Sequence, residues 1–299
     1  MVKDILVRKA SGEMEPFSAE KIRGSLLRSG SDPQIVEDIL EEITQWIEEV
    51  NKQSNLQLTT RSIYKKAFAL LNRRKNGSAA RYRLKSAMME LGPTGHPFEH
   101  FMGQIYKILG YEMVEVAQTL QGNALTHEVD VVATHKDKKG KLHQHIVECK
   151  YYQTNGKNAG VQVSLYVHSR MEDIFSYRKK FPEFDNYTFS AGVATNTRFS
   201  ADAIAYGEYA GLKLLSWDYP KGGSLREIID REGIFPITAL TSLTRTQKEI
   251  LMESGIVICR QLQELLVSGY NQNTPKLTEL QLTDTKLRKL KDELNSLLR

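Results

Sequence analysis

Cysteine is scarce in this 299-residue chain, which carries only Cys149 and Cys259. They lie far apart and neither belongs to a paired metal-ligand spacing, which argues against a disulfide framework or a structural zinc site and predicts a reducing, cytoplasmic setting. Long apolar runs are also missing: nothing approaches the roughly 18 consecutive apolar residues of a membrane span. The first residues mix Lys3, Asp4, Arg8 and Lys9 among apolar ones, so we expect an unprocessed chain with no membrane partner. There is no Gly-x-x-x-x-Gly-Lys-Ser/Thr loop, which excludes a P-loop motor. Low-complexity tracts and long repeats are absent too. What remains is an ordinary globular composition, 40% hydrophobic and 26% charged, with a formal net charge of +5. That surplus permits an anionic partner such as DNA without establishing one.

The punctuation predicts three parts. Residues 3–9 and 14–17 read as short strands joined at Ser11-Gly12. Helices follow: one from Ser18 through Arg28 with Ile22, Leu26 and Leu27 inward, one from Ser31-Asp32-Pro33 to Val50, one capped by Thr59 or Thr60, and one from Ser78 toward Met89. The helix breakers of Leu91-Gly-Pro-Thr-Gly-His-Pro97 set a domain boundary. Beyond it come a helix with an apolar stripe from Phe98 to Leu109 and three strand-like runs, at 111–117, 128–134 and 143–151. A long helix over 159–180 follows, then a strand at 187–195, a helix at 201–210, a strand at 212–217 and a helix at 224–231. Such an order predicts an α/β sandwich with a mixed central sheet. From Pro236 the pattern is helical again, broken by the polar stretch Asn271 to Pro275. The expected division is 1–91, 92–235 and 236–299.

Glu148 and Lys150 are two apart on a predicted strand, so they share a face while Cys149 takes the other. Asp130 sits near the start of the preceding strand, where an antiparallel hairpin brings its carboxylate toward Glu148. Both strands are otherwise apolar (Val129, Val131, Val132; Ile146, Val147), and charge placed there is costly unless it serves a purpose. Two such carboxylates suit a hard divalent cation, Mg or Mn, that engages a phosphate, and a neighbouring ammonium suits the attacking water. Gln162, Tyr166 and Arg170 recur every four residues on the following helix, a stripe that either meets DNA or faces water. His127 either supports Asp130, contacts DNA or is structural.

These residues resemble the Mrr-like branch of the PD-(D/E)XK restriction endonucleases: Pro97-Phe98-Glu99 opening a helix, Gly122 in a loop, His127-Glu128-Val129-Asp130, and Val147-Glu148-Cys149-Lys150-Tyr151. The resemblance implies a Mg-dependent DNA endonuclease in which Asp130 and Glu148 bind metal, Lys150 serves the water and Glu99 completes the site. Ahead of it, Val7-Arg8-Lys9-Ala10-Ser11-Gly12, Pro16-Phe17, Glu20-Lys21-Ile22, Thr60 and Arg81-Tyr82 resemble the ATP-cone regulatory domain. That likeness implies an adenine nucleotide, ATP or dATP, held by Lys9, Lys21 and Thr60 with Val7 at the base, and regulation through a homo-oligomer. Residues 240–262 are similar to helix-hairpin-helix modules that grip DNA backbones. The leading expectation is a nucleotide-regulated DNA endonuclease. The alternatives are a nucleotide-sensing DNA-binding regulator that keeps the nuclease fold without catalysis, and a repair or junction nuclease.

Overall fold

The computed structural model describes residues 5–9, 11–52, 57–74, 76–154, 156–267 and 279–298, with the side chains of 76 and 77 left aside. Residues 3–4 of the first predicted strand and the polar stretch at 271–275 lie outside these. The chain divides into two compact units, one of residues 1–87, 239–244 and 281–299, the other of 88–238 and 245–280.

In the first unit β1 (Leu6–Arg8) and β2 (Met14–Pro16) form an antiparallel hairpin with Val7 opposite Glu15. Gly12 makes the turn at φ 91°, a conformation that glycine adopts without strain. Helices α1 (Ala19–Arg28), α2 (Pro33–Lys52) and α3 (Thr60–Arg74) follow. Thr59 settles the cap of α3, its hydroxyl accepting from the Ser62 amide at 3.0 Å. Val36, Ile39, Leu40, Ile43 and Ile47 recur at helical spacing along α2 and are buried against Leu26, Ile63, Leu70 and Leu71. Two expectations need correction. Leu27 is exposed, because Leu26 takes the inward position of α1. The helix expected from Ser78 to Met89 is two short ones, α4 (Asn76–Tyr82) and α5 (Leu84–Met88).

The second unit holds a five-stranded sheet of order β3 (Met113–Gln121), β4 (Thr126–Lys136), β5 (Leu142–Lys150), β7 (Tyr187–Thr195) and β9 (Lys213–Leu215). The first three strands run antiparallel and the last two join in parallel, so the sheet is mixed. Strands β6 (Asn158–Ala159) and β8 (Arg198–Phe199) form a separate small pair. Helix α6 (His96–Ile108) buries Phe98, Phe101, Met102 and Ile105 against β3, β4 and β5. Helices α7 (Val161–Arg178) and α8 (Ala201–Tyr209) pack together over a core of Val132, Ile146, Val167, Met171, Ile174 and Val193. Helix α9 (Leu225–Glu232) begins with a reciprocal Ser224–Glu227 capping box. The first of these strands differs from expectation: β3 starts at Met113 and continues through the polar Gln118 to Gln121, because those residues pair with Thr126 to Val129.

The C-terminal residues do not cluster as a unit of their own. Helices α10 (Arg245–Glu253) and α11 (Cys259–Val267), joined at Ser254-Gly255 with Gly255 at φ 79°, belong to the second unit. Lys248 of α10 is buried and donates to the Thr238 carbonyl at 3.0 Å, which withdraws it from any DNA-facing surface. Helix α12 (Asp284–Leu297) belongs to the first unit, where it packs on α4. Its buried Glu293 accepts from the Thr241 amide at 2.6 Å, the Thr241 hydroxyl at 2.8 Å and the Ser242 amide at 2.9 Å. A carboxylate so desolvated is compensated by those three donors.

Candidate active site

Strand pairing assembles the acidic residues. The β4–β5 ladder begins at Val131 opposite Val147 and proceeds toward the turn, so its next step outward places Asp130 across from Glu148. The backbone is distorted at this point. On the other side of β4 the ladder pairs Val116 with Val131 and Gln118 with Val129, with no pair between Ala117 and Asp130. Ala117 has φ 54°, a left-handed conformation that costs a non-glycine residue of order 1 kcal/mol. Val129 and Val132, three apart, both join the core beneath α7, so the two-residue alternation slips at Asp130. The slip frees the Asp130 carboxylate to turn along the strand and accept from the Cys149 amide at 2.6 Å. Strand irregularities of this kind commonly re-aim a side chain beside a site.

Glu148 is buried and each of its oxygens has a cation. Lys150 Nζ donates to Oε1 and Arg170 Nη1 to Oε2, both at 2.7 Å. Arg170 also donates to the Glu128 carbonyl and lies over the Tyr166 ring, 4.9 Å from its centroid, with Lys150 Nζ at 5.7 Å from the same ring. Glu99 stands in the first turn of α6, half-buried, with His96 Nδ1 at 3.1 Å. Burial, and then the charge of Glu148, push the Asp130 carboxyl up to about 7, Glu99 adding to the effect. Burial pulls the Lys150 ammonium down, but the hydrogen bond and charge of Glu148 outweigh it and hold its pKa above the ordinary value. Cys149, on the opposite face, is buried and its thiol is pushed far up by desolvation, so it is no nucleophile.

Asp130, Glu148 and Lys150 therefore come together at the ends of β4 and β5, while Glu99 on α6 acts on Asp130 only through its charge, and among the described residues no group of three or more His, Cys, Asp or Glu is placed to hold a metal ion. Of the predicted stripe on α7, Arg170 joins them directly, Tyr166 supports Arg170 and Gln162 is exposed. His127 turns away from Asp130: its Nε2 pairs with Asp173 at 2.8 Å. Asp173 also accepts from the Ala124 amide at 2.9 Å and the Leu125 amide at 3.3 Å, clamping the β3–β4 loop to α7. Gly122 makes this clamp possible, since a Cβ there would lie 2.1 Å from Asp173 Oδ2.

Asn196 belongs to the segment Thr195 to Phe199, which resembles a family loop near the active edge but whose role the sequence does not give. The β5–β7 ladder ends with Lys150 opposite Thr195, and Asn196 extends it with its side chain, Oδ1 accepting from the Tyr152 amide at 2.9 Å and Nδ2 donating to the Tyr152 carbonyl at 2.8 Å. Fully buried, Asn196 reproduces both hydrogen bonds of a missing strand partner and fixes the backbone just beyond Lys150. A lone Asn after a strand carries no local signal of such a role.

The residues predicted for nucleotide sit in the first unit. A cavity of about 200 Å³ is lined by Val7, Lys21 and Thr60 together with Glu15, Tyr64 and Tyr82. Lys9 reaches Glu15 at 3.0 Å and Lys21 reaches the same Glu15 oxygen at 2.8 Å, which together hold that carboxyl below its ordinary pKa, Lys21 contributing most.

An uncharacterized protein of Archaeoglobus fulgidus is 30% identical over 174 residues, spanning 57% of this chain and 85% of that protein. The chain belongs to the family of that archaeal protein. Within this family member, residues 92–218 match the family described as "Restriction endonuclease", and residues 235–298 match "AF1548-like, C-terminal". The crystal structure of the protein of unknown function AF1548 is similar over 69% of this chain and 98% of that one, with a TM-score of 0.52 and 24% identity, a likeness of fold. The MspJI restriction endonuclease in complex with a 27-mer oligonucleotide overlaps 60% of this chain and 36% of that one, at 13% identity and a TM-score of 0.37. The second unit thus carries a restriction-endonuclease-like domain. Among the described residues no helix is long and apolar enough to cross a membrane.

Proposed function

We propose that the protein is a divalent-metal-dependent DNA endonuclease. The observation that carries this reading is the buried Glu148 carboxylate just beyond the last pair of the β4–β5 ladder, with Lys150 donating to it and Asp130 accepting from the adjacent Cys149 amide. The match of residues 92–218 to restriction endonucleases supports it. Asp130 and Glu148 would supply hard carboxylate oxygens of the kind Mg or Mn takes, and a cation between them would relieve the burial and charge that push the Asp130 carboxyl up. Bound there, the cation would polarise the scissile phosphate and acidify a water. Lys150 would orient that water and offset the negative charge it gains on ionising, and Asp130 and Glu148 would be the residues that hold the cation. Asn196 keeps the backbone after Lys150 in register, and His127 with Asp173 fixes the loop that leads into β4.

The same reading assigns the cavity of the first unit to ATP or dATP in an ATP-cone-like domain, with Val7 and the tyrosines at the base and Lys21 and Thr60 toward the phosphates, while Lys9, which does not line the cavity, would reach them only by leaving Glu15. Nucleotide there regulates cleavage by a homo-oligomer in the cytoplasm, since two copies are needed to cut both strands. The α10–α11 turn is assigned to the DNA backbone. Purified protein should nick or cut duplex DNA with Mg²⁺ or Mn²⁺, and Glu148→Ala or Lys150→Ala should each lower the rate by roughly a thousandfold, the scale of losing one preorganised charge. Cleavage that needs no metal, or that survives both substitutions, overturns the assignment.

A further inference from the structure

We propose that Arg170 is the resident counter-ion of the metal site: it holds Glu148 while no divalent cation is bound, and moves to a DNA backbone phosphate when the cation takes that carboxylate. This inference rests on the nuclease reading above and adds to it a residue that couples metal binding to DNA binding.

The geometry gives Arg170 a place that metal and DNA must contest. Its Nη1 lies 2.7 Å from Glu148 Oε2, with the guanidinium side chain 11% exposed and the carboxylate side chain 6% exposed. A dication at that oxygen and a guanidinium at hydrogen-bond distance from it repel strongly in so dry a place. Lys150 holds the other oxygen at 2.7 Å from the same strand and is already engaged by the proposed chemistry, which leaves Arg170 as the cation without a part in it. Arg170 arrives from a different element on a long side chain and rests on Tyr166, whose ring is half exposed. That ring is a surface along which the guanidinium slides from Glu148 toward solvent while keeping its cation–π contact. Gln162 and Tyr166 precede Arg170 at intervals of four, so the exit follows one exposed stripe of α7.

Charge points the same way. With every group ionised, Asp130, Glu148 and Glu99 oppose Lys150 and Arg170 with one negative charge in excess. A divalent cation converts this into one positive charge in excess, and release of Arg170 restores neutrality at the carboxylates while leaving its guanidinium without a counter-charge. The cation therefore displaces Arg170 and in doing so creates the demand for a phosphate, which the displaced guanidinium helps to bind in bidentate fashion.

The test is calorimetric titration of Mn²⁺ into DNA-free protein, followed by titration of a duplex oligonucleotide in Ca²⁺ to suppress cleavage. Arg170→Gln should bind Mn²⁺ about tenfold more tightly than wild type and the duplex about tenfold more weakly, and Arg170→Lys should return both toward wild type. Tyr166→Ala removes the exposed platform with little threat to folding and should raise Mn²⁺ affinity about threefold. It decides the question if Arg170→Gln does not fold. Unchanged or weaker Mn²⁺ binding in Arg170→Gln, or in Tyr166→Ala where the former is unfolded, refutes the counter-ion role. Glu148→Ala separates this from the parent reading: if it binds Mn²⁺ as wild type does, the metal is elsewhere and the nuclease site itself is wrongly placed.

Discussion

Glu15 and Glu148 present the same motif in two surroundings. Each carboxylate is shared by two cations, Lys9 and Lys21 in the hairpin, Lys150 and Arg170 on the sheet. Around Glu15 the lysine side chains are 34% and 66% exposed, so water does much of the solvation and either partner leaves at little expense. Around Glu148 one cation, Lys150, is as exposed as Lys9, but the carboxylate and Arg170 are only 6% and 11% exposed, and the carboxylate is tolerated because both cations stay or because something of greater charge replaces one. Burial thus separates a charge cluster that opens readily to a ligand from one that stays closed until a ligand of suitable charge arrives.

The sharpest way to break this comparison is to delete each carboxylate. Glu148→Ala strands a largely buried guanidinium and should destabilise the second unit by about 3–5 kcal/mol, the usual cost of removing one member of a buried pair. Glu15→Ala should leave the urea midpoint almost unmoved. Equal shifts in denaturation would show that burial does not distinguish the two. A smaller effect sharpens the ligand side: Lys21→Ala should weaken ATP or dATP binding roughly ten- to hundredfold, as expected for one charge-assisted phosphate contact. Isothermal titration with no measurable binding to wild-type protein at millimolar nucleotide would mean the cavity has another use.

The smallest effect concerns pH. Asp130 is held at about 7 in the folded protein against the ordinary carboxylate value when unfolded. The folded state therefore keeps a proton that the unfolded state gives up, and stability falls as pH rises from about 4 to about 7, then levels off. Asp130→Asn removes this dependence, so metal-free variant should gain on wild type across that window and exceed it by about 1–2 kcal/mol at pH 8, the carboxylate being only partly buried. A pH-independent difference between the two in thermal melts would assign the upward shift to some other group.

Much of the sheet was legible from local signals. The strand from Tyr187 to Thr195 runs as its pattern indicates, and Glu148 with Lys150 obeys simple alternation. Asp130 escaped that rule, because the slip beside Ala117 depends on a neighbouring strand and has no signature in β4 itself. Arg170 belonged to a recognisable stripe, yet nothing in the stripe says which way α7 is rotated, and rotation decides whether it meets water or Glu148. His127 illustrates the converse: of the readings the sequence left open it takes the structural one, with a partner, Asp173, that lies 46 residues away and that no local pattern names. The polar run Gln118 to Gln121 became strand because tertiary pairing overrode a weak propensity.

The return of α12 to the first unit bears on the order in which the protein is made. The bundle that begins at the hairpin is completed by residues near the other end of the chain, with Arg81 donating to the Leu297 carbonyl at 3.0 Å and Leu290 and Leu294 buried. Domains usually fold as they leave the ribosome, first part first. Here the opening segment emerges long before the helix that closes it, and its contacts span more than two hundred residues, the kind of closure that slows folding. During synthesis the endonuclease-like unit has nearly all its strands available while the bundle still waits. A newly made chain would thus acquire its sheet before its bundle is finished, and a fragment stopping near residue 90 would lack part of its own packing.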